Sequence, residues 1–338
     1  MISAKDLGNS QWFPVDVDVT ARVIRFAKVD EASIAAASFL DNRWQIDWKT
    51  VQTVSFDALD AGGTERVAWL WHTSFCGSTL LARMLHVSPF SVALREPLVI
   101  RRLSDAAEQG VDIREAVAKV LSLIGRPWHE GGSLLVKPTH AALNVACRLM
   151  SATQGNKAVV LTSSLEDFLT SHLKKAPDTL AKIPLLTERA LGATRLVERL
   201  PVEAFDPPGT LAAIALQWAA QREVVAELLR HIGAERCRLL DWNELQQDLQ
   251  ASVPMCSSAL GLDIPDDALS KNIALHAGRH AKAIDRKFDI QTRRSEAAAL
   301  RREFGQQIQA AIEWARRVLL PAIDPTAILP VEREMGFS

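Results

Sequence analysis

The chain has 338 residues, of which 48% are hydrophobic and 23% are charged. This composition is typical of a globular protein with a full core and excludes a largely disordered chain. The net charge of -1 argues against a general affinity for nucleic acid or for an anionic membrane. No apolar run approaches the roughly 20 residues of a membrane span. The first residues also lack the apolar centre of a signal peptide.

The four cysteines are far apart and form no CxxC pair: Cys76, Cys147, Cys237 and Cys256. This spacing argues against a zinc site and predicts a reduced, cytoplasmic protein. We therefore expect no metal.

Two regions are predicted along the chain. Residues 1–62 contain short β-like runs, at 21–26 and 51–56, and end near Ala61-Gly62-Gly63. They predict an N-terminal extension that packs on a main domain spanning residues 63–330.

In the main domain, apolar runs alternate with helical patterns. Strands are predicted at 67–71, 92–94, 133–136, 158–161 and 237–240, and helices at 78–86, 113–124, 141–151, 165–175, 209–232, 242–261 and 295–319. Ser163, three residues before Glu166, predicts a capping box at one helix start. Residues 271–291, rich in His, Lys and Arg, predict a loop or lid. Continuous apolar strands between helices predict an α/β fold with a parallel sheet covered on both faces.

The segment 66–85, RVAWLWHTSFCGSTLLARML, places a small polar turn between a strand and a helix. We call residues 72–79 the phosphate loop, because such a turn and the helix behind it direct N–H groups at an anion. Gly77 permits the turn, and Ser78 and Thr79 add hydroxyl donors. A Walker A loop would have glycine in place of His72 and lysine in place of Ser78. Phosphoryl transfer by that machinery is therefore disfavoured, and an ordinary strand–turn–helix is the alternative.

Cys76, in this turn, raises the possibility of an acidified thiol nucleophile. A tyrosine-phosphatase loop has five residues between its cysteine and arginine, but six separate Cys76 from Arg83. We expect Arg83 to point away and Cys76 to fill space beside the anion.

Three residues at predicted strand ends are candidates for catalysis. Glu96, held extended by Pro97, is a candidate general base, unless it is only paired with Arg95 or Arg101. Lys137 ends a strand where open α/β sheets bind ligands, and is either a charge stabiliser or a strand cap. His140 is an alternative base.

Hydroxyl side chains follow the strand at 158–161. Thr162, Ser163 and Ser164 come first, and Thr170 and Ser171 lie two turns into the next helix. They are candidates for binding a second phosphate, or for capping the helix.

Taken in this order, the motifs resemble those of the PAPS-dependent sulfotransferase superfamily, particularly its tyrosylprotein-sulfotransferase-like and bacterial branches. The loop FCGSTLL (75–81) is similar to the family's RSGSTLL type, and Glu96 stands where the catalytic base is found. KPTH (137–140) and the stretch 237–262 also resemble family segments. The resemblance covers residues 66–262.

Two positions depart from the family pattern. The family has lysine or arginine where this chain has Phe75. Its 3′-phosphate motif has an arginine and a serine where this chain has Thr162 and Thr170, with Ser171 beside the latter. Compensating positive charge is expected from His72, or from the later basic residues Arg279, Lys282, Arg286 and Lys287.

The resemblance implies a three-layer P-loop sulfotransferase-like fold and transfer of a sulfuryl group from PAPS (3′-phosphoadenosine 5′-phosphosulfate) to a hydroxyl or amine. Glu96 would be the base, and Lys137 would stabilise the bridging oxygen. The donor would be bound by Phe75, Cys76, Gly77, Ser78, Thr79, Thr162, Thr170, Ser171 and Arg279. The expected acceptor is a small molecule or peptide. A nucleotide-dependent kinase and a catalytically silent nucleotide-binding or scaffold protein are the alternatives.

Overall fold

A computed structural model of the chain describes residues 4–59, 67–153, 155–280, 283–287, 290–329 and 332. In the N-terminal region, three antiparallel strands form a sheet in the order β1–β2–β3. Its elements are α1 Ala4–Leu7, β1 Trp12–Asp18, β2 Val23–Lys28, α2 Glu31–Ala36 and β3 Gln52–Ser55.

A five-stranded parallel sheet forms the centre of the main domain. Its strands are β4 Ala68–His72, β5 Ser91–Arg95, β6 Ser133–Lys137, β7 Ala158–Thr162 and β8 Cys237–Asp241. Their spatial order is β5–β6–β4–β7–β8. All pairings are parallel, so the five carboxyl ends lie at one edge. The predicted fold class, an α/β fold with a parallel sheet flanked by helices, is confirmed.

The helices cover both faces of this sheet. They are α3 Ser78–Met84, α4 Leu98–Glu108, α5 Arg114–Ile124, α6 Ala146–Ser151, α7 Leu165–His172, α8 Pro177–Leu180, α9 Ile183–Gly192, α10 Thr210–Ile232, α11 Trp242–Leu245, α12 Leu249–Leu260, α13 Asp266–Ala277, α14 Ile290–Glu303 and α15 Gly305–Val318. A short hairpin, β9 Arg279–His280 with β10 Ala283–Lys287, lies between α13 and α14.

Strand β4 shows why the central strands are apolar throughout. Because side chains alternate across a strand, Trp69 and Trp71 face one hydrophobic cluster. Ala68 and Leu70 face the other. The two indole rings stack at 5.1 Å. Both faces are therefore buried under helices, which accounts for a continuous apolar run in place of an alternating one.

The N-terminal sheet shares a core with the main domain. Phe13 and Phe26 belong to the same buried cluster as Leu103 of α4 and Val117 of α5. The predicted boundary at residue 62 lies outside the described residues, so the division into domains stays a prediction.

Two predicted helices are each divided into two. The predicted helix 242–261 is interrupted before Asp248, whose side chain accepts a hydrogen bond from the Ala251 N–H and caps α12. The predicted helix 295–319 is interrupted at Phe304, which leaves the helical conformation before Gly305. The apolar pattern continues through both places, but the helix is broken by a capping side chain in the first and next to a glycine in the second.

Three further predictions were wrong in detail. Ser164, not Ser163, caps α7, and its Oγ accepts from the Asp167 N–H. The segment 271–291, predicted as a loop or lid, is not an irregular loop where the structure describes it, because it contains the end of α13, the hairpin and the start of α14. The predicted helix 141–151 begins as a 3₁₀ helix, His140–Val145, before α6. Helices α1, α2, α4, α8, α9 and α13 were not predicted.

Candidate active site

A cavity of about 1630 Å³ opens over the carboxyl ends of the parallel strands. Its wall contains most of the predicted site residues: Phe75, Cys76, Gly77, Ser78, Thr79, Glu96, Lys137, His140, Thr170 and Ser171. Thr162 is fully buried behind this wall. The side chains of Arg279, Arg286 and Lys287, and all of Lys282, lie outside what the structure describes.

The phosphate loop joins β4 to α3 in a tight turn. Gly77 adopts φ +77°, a left-handed conformation that disfavours any residue with a side chain. A Cβ there would also lie 2.4 Å from the Trp242 ring, which is too close for a non-bonded contact. Phe75 also has a positive φ, of 60°. Among the described residues, no acceptor takes the N–H groups of Phe75, Gly77 or Thr79. The turn therefore presents backbone donors to the cavity.

Gln221 of α10 holds the first part of this loop. Its Oε1 accepts from the Ser74 N–H at 3.2 Å, and its Nε2 donates to Ser74 Oγ at 3.3 Å. Gln221 is itself 2% exposed. A glutamine in the middle of a long helix gave no signal in the sequence, because only the packing of α10 brings it to the loop.

Cys76 is packed inside the loop. Its thiol lies 3.1 Å from the Thr73 carbonyl oxygen and 3.2 Å from that of Leu161. Burial raises its pKa to about 11, so a thiolate is disfavoured at neutral pH. Arg83 donates to the Ala35 carbonyl, away from the loop. Both observations argue against thiol catalysis.

Glu96 and Lys137 meet at the ends of neighbouring strands. The β5–β6 register pairs Arg95 with Lys137, and the Glu96 N–H donates to the Lys137 carbonyl at 2.6 Å. The Lys137 ammonium donates to Glu96 Oε1 at 2.5 Å and is 1% exposed. The prediction that Pro97 holds Glu96 extended was wrong: Glu96 has φ +54°, an unfavourable left-handed backbone geometry that the N–H bond to Lys137 helps to hold.

The alternative prediction, that Glu96 is only paired with Arg95 or Arg101, was wrong. Arg95 is buried and donates to backbone carbonyls of residues 34, 35 and 37. Arg101 pairs with Asp105. Glu96 is instead bound by Lys137 and by a residue of the N-terminal region.

That residue is Arg43, which sequence analysis missed. Its guanidinium lies 3.0 Å from Glu96 Oε2 and 3.7 Å from the Phe39 ring centroid. Burial alone would raise the pKa of Glu96, but the charges of Lys137 and then Arg43 outweigh it and lower the pKa. Glu96 is therefore ionised at neutral pH. No local pattern links residues 53 positions apart.

Two histidines lie beside this pair. His72 has its ring nitrogens near the carbonyl oxygens of Thr73 and Pro138, at 2.8 and 2.9 Å. Burial, and then the Lys137 charge, hold its pKa well below the usual value, so it carries no positive charge for the loop. Burial also lowers the pKa of His140 to about 4. Its Nε2 is buried and has no partner among the described residues.

Two of the hydroxyl groups predicted to bind a second phosphate already form hydrogen bonds within the protein. Thr162 Oγ1 lies 3.0 Å from Thr73 Oγ1, and Thr170 Oγ1 donates to the Glu166 carbonyl at 2.7 Å. Ser171 lines the cavity and makes no such bond to a described residue. Arg301 of α14 reaches the same region, where it pairs with Glu166 and Asp167.

This arrangement can hold an anion and move a proton beside it. The loop supplies N–H donors, Lys137 a buried positive charge, and Glu96 an ionised carboxylate. Within the described ranges, no three or more His, Cys, Asp or Glu side chains are grouped to hold a metal ion. No helix there is both long and apolar enough to cross a membrane.

No protein-family model matches this sequence, and no curated protein matches it either. Several solved structures are similar to it, including the following three. They are the sulfotransferase domain from the curacin biosynthetic pathway (12% identity, TM-score 0.40, covering 72% of this chain and 99% of that one), a sulfotransferase from Alicyclobacillus acidocaldarius (14%, 0.39, 75% and 97%), and the sulfotransferase domain from the Synechococcus PCC 7002 olefin synthase (13%, 0.40, 71% and 89%). All three are named for the class of enzyme that the sequence motifs resemble. At these TM-scores the similarity carries no argument about the reaction of this chain.

Proposed function

We propose that this chain is a sulfotransferase-like enzyme that moves a sulfuryl group from PAPS to a hydroxyl or amine acceptor. One observation carries the proposal: an ionised carboxylate, Glu96, and a buried ammonium, Lys137, meet 2.5 Å apart at adjacent strand ends. They lie in the same cavity wall as the phosphate loop, whose N–H groups at residues 75, 77 and 79 have no acceptor among the described residues. A base, a positive charge and an anion-binding loop are the elements that the resemblance to sulfotransferases implies for sulfuryl transfer.

In the proposed reaction, the acceptor oxygen or nitrogen forms a bond to sulfur. The bond between sulfur and the 5′-phosphate oxygen breaks, and its electron pair stays on that oxygen. Glu96 takes the acceptor's proton, and Lys137 offsets the negative charge that develops on the bridging oxygen. The products are the sulfated acceptor and adenosine 3′,5′-bisphosphate.

The proposed donor site uses groups of the cavity wall that have no partner among the described residues. The N–H groups of Phe75, Gly77 and Thr79 would hold the 5′-phosphate and sulfuryl oxygens. Of the hydroxyls predicted for the 3′-phosphate, we assign Ser171, because Thr162 and Thr170 already bond within the protein.

The first test is isothermal titration calorimetry with adenosine 3′,5′-bisphosphate, and with ATP as the control. We expect the bisphosphate to bind and ATP to bind much more weakly. Tighter binding of ATP would instead indicate a nucleotide-dependent kinase. Binding of neither nucleotide would reject the proposed donor.

The second test separates binding from chemistry. Release of adenosine 3′,5′-bisphosphate from PAPS is followed by chromatography against a panel of hydroxyl and amine acceptors. Glu96→Gln should reduce turnover about 100- to 10,000-fold while leaving bisphosphate affinity nearly unchanged. Asp41→Asn is the matched control, because Asp41 lines the same cavity and pairs with Arg43 but not with Lys137. Equal turnover in Glu96→Gln and wild type would exclude Glu96 as the base.

A catalytically silent nucleotide-binding or scaffold protein is the second candidate. It is favoured by the internal hydrogen bonds of Thr162 and Thr170, which leave fewer groups for a second phosphate. Bisphosphate binding without turnover on any acceptor, in a protein with the wild-type fold, would support it.

A further inference from the structure

Ser74 lies in the phosphate loop, but sequence analysis missed it as a site residue. It is 2% exposed and forms part of the cavity wall. Gln221 of α10 contacts it, and Gln217, one helical turn earlier, lies on the same face of that helix. The hydrogen bonds on this face determine how the Ser74 hydroxyl acts.

The contact with Gln221 fixes the direction of these hydrogen bonds. The Ser74 N–H is only a donor, so the amide oxygen of Gln221 faces it, at 3.2 Å. The amide nitrogen of Gln221 therefore faces Ser74 Oγ, at 3.3 Å, and donates to it. Because Oγ accepts from Gln221, the hydroxyl hydrogen of Ser74 points elsewhere. None of the described residues accepts that hydrogen.

A second polar group on this face of α10 also lacks a partner within the described residues. Gln217 is 1% exposed and lines the same cavity, and its Oε1 is buried without a hydrogen bond. Such groups are uncommon in folded proteins, because leaving a buried polar atom unpaired costs stability. Together with the Ser74 hydroxyl, Gln217 indicates that a ligand binds against this face of α10.

We propose that Ser74 binds the 5′-phosphate of the donor, and that Gln221 is the positioning residue that keeps the Ser74 hydroxyl as a hydrogen-bond donor toward the cavity. This inference rests on the proposed function, because it assumes an anionic donor at the phosphate loop. An ionised phosphate oxygen only accepts hydrogen bonds, so it matches a hydroxyl that is held as a donor. The loop contains no lysine or arginine. A hydrogen bond to an ionised acceptor is about twice as strong as a neutral one, so an oriented hydroxyl adds affinity there.

The direct test is calorimetry of Ser74→Ala with adenosine 3′,5′-bisphosphate and with adenosine 3′-monophosphate, which lacks the 5′-phosphate. We expect affinity for the bisphosphate to fall about 10- to 100-fold, and affinity for the monophosphate to change by less than about twofold. Ser74→Cys should lose affinity in the same direction, because a thiol is a weak donor, and it replaces Ser74→Ala if that variant does not fold. Thr179→Val is the matched control, since it removes a hydroxyl group from the wall of the same cavity, on α8.

Gln221→Glu tests the positioning role through pH. When protonated, the new carboxyl group has one accepting oxygen and one O–H donor, and so keeps the wild-type pattern. When ionised it only accepts, so the Ser74 hydroxyl turns its hydrogen toward it and away from the phosphate. The ratio of wild-type to variant affinity for the bisphosphate should therefore increase as pH rises through the pKa of the new group. Titration of groups common to both proteins, and of the ligand, cancels in this ratio.

The same substitution in the Ser74→Ala background separates this effect from charge repulsion. Without the hydroxyl, only repulsion between the new carboxylate and the phosphate remains. The increase of the ratio with pH should then be smaller by about fivefold or more. A role of Gln221 in packing alone would give the same increase in both backgrounds. Circular dichroism and thermal unfolding confirm that each variant retains the fold.

Three outcomes would overturn the inference while wild type binds the bisphosphate. One is an affinity of Ser74→Ala within twofold of wild type. The second is an equal loss of affinity for the bisphosphate and the monophosphate, and the third is an effect of Gln221→Glu that is the same with and without the Ser74 hydroxyl. In all three the proposed function stands. Failure of the wild type itself to bind the bisphosphate rejects the proposed function, and this inference with it.

Discussion

Replacing Gly77 with alanine adds one methyl group where the phosphate loop passes Trp242. The backbone there has φ +77°, and the new Cβ would lie 2.4 Å from two atoms of the indole ring. Trp242 is 3% exposed and belongs to the core beside α3, so the ring has little room to move. The substitution should therefore destabilise the protein through two separate effects.

The first effect is the left-handed backbone, which costs a residue with a Cβ about 1 to 2 kcal/mol. The second is overpacking against Trp242, which costs about 1 to 3 kcal/mol. Together they predict a loss of about 2 to 5 kcal/mol in the free energy of unfolding. Any shift of the loop would also misplace its N–H donors, so affinity for adenosine 3′,5′-bisphosphate should fall.

Gly110, just after α4, provides a matched control. It has the same φ of +77°, but a Cβ there would meet nothing within 4 Å. Gly110→Ala should therefore lose only the backbone part, about 1 to 2 kcal/mol. Effects of alanine on the unfolded chain are common to both variants and cancel in the difference.

The assay is urea unfolding of both variants at one pH, followed by fluorescence and circular dichroism. A further variant, Gly77→Ala with Trp242→Leu, should recover much of the overpacking part relative to Trp242→Leu alone. Equal destabilisation by Gly77→Ala and Gly110→Ala would refute the reasoning, because it would mean that Trp242 does not restrict the loop.

Three further predictions concern charge. Arg43→Met removes one of the two cations that lower the pKa of Glu96; the acid limb of the kcat/KM profile should move to higher pH, and an unmoved limb would contradict this. The pKa of His140 is lowered from 6.5 to about 4, so the folded state binds fewer protons than the unfolded state between these values, and about 3 kcal/mol of stability should be lost as pH falls through this range. His140→Gln should flatten that pH dependence, and an unchanged slope in urea unfolding would count against it. Arg222 and Glu332 form a fully buried ion pair at 2.9 Å, so Arg222→Met should cost about 3 to 5 kcal/mol. Adding Glu332→Gln should recover part of that loss, and an Arg222→Met midpoint equal to wild type would exclude the pair.

The sequence predicted the central sheet because its strands are short, apolar and separated by helical patterns. The five predicted strands differ from the observed ones by at most one residue at either end. The apolar pattern did not predict the breaks at Asp248 and Phe304, where each of two predicted helices is divided into two. Caps act through specific side-chain and backbone geometry, which an apolar periodicity does not contain.

For the site, the sequence determined the residue types at the strand ends and in the turn: Glu96, Lys137 and the Gly-Ser-Thr turn at Gly77. These are local, since each follows directly from a strand or precedes a helix. The charge state of Glu96 and the contacts that position these groups were decided only by the tertiary structure. Arg43, Gln221 and Trp242 reach the loop or Glu96 from distant parts of the chain. Their contacts depend on the packing of the N-terminal region and of helices around the sheet, and no spacing in the sequence encodes such contacts.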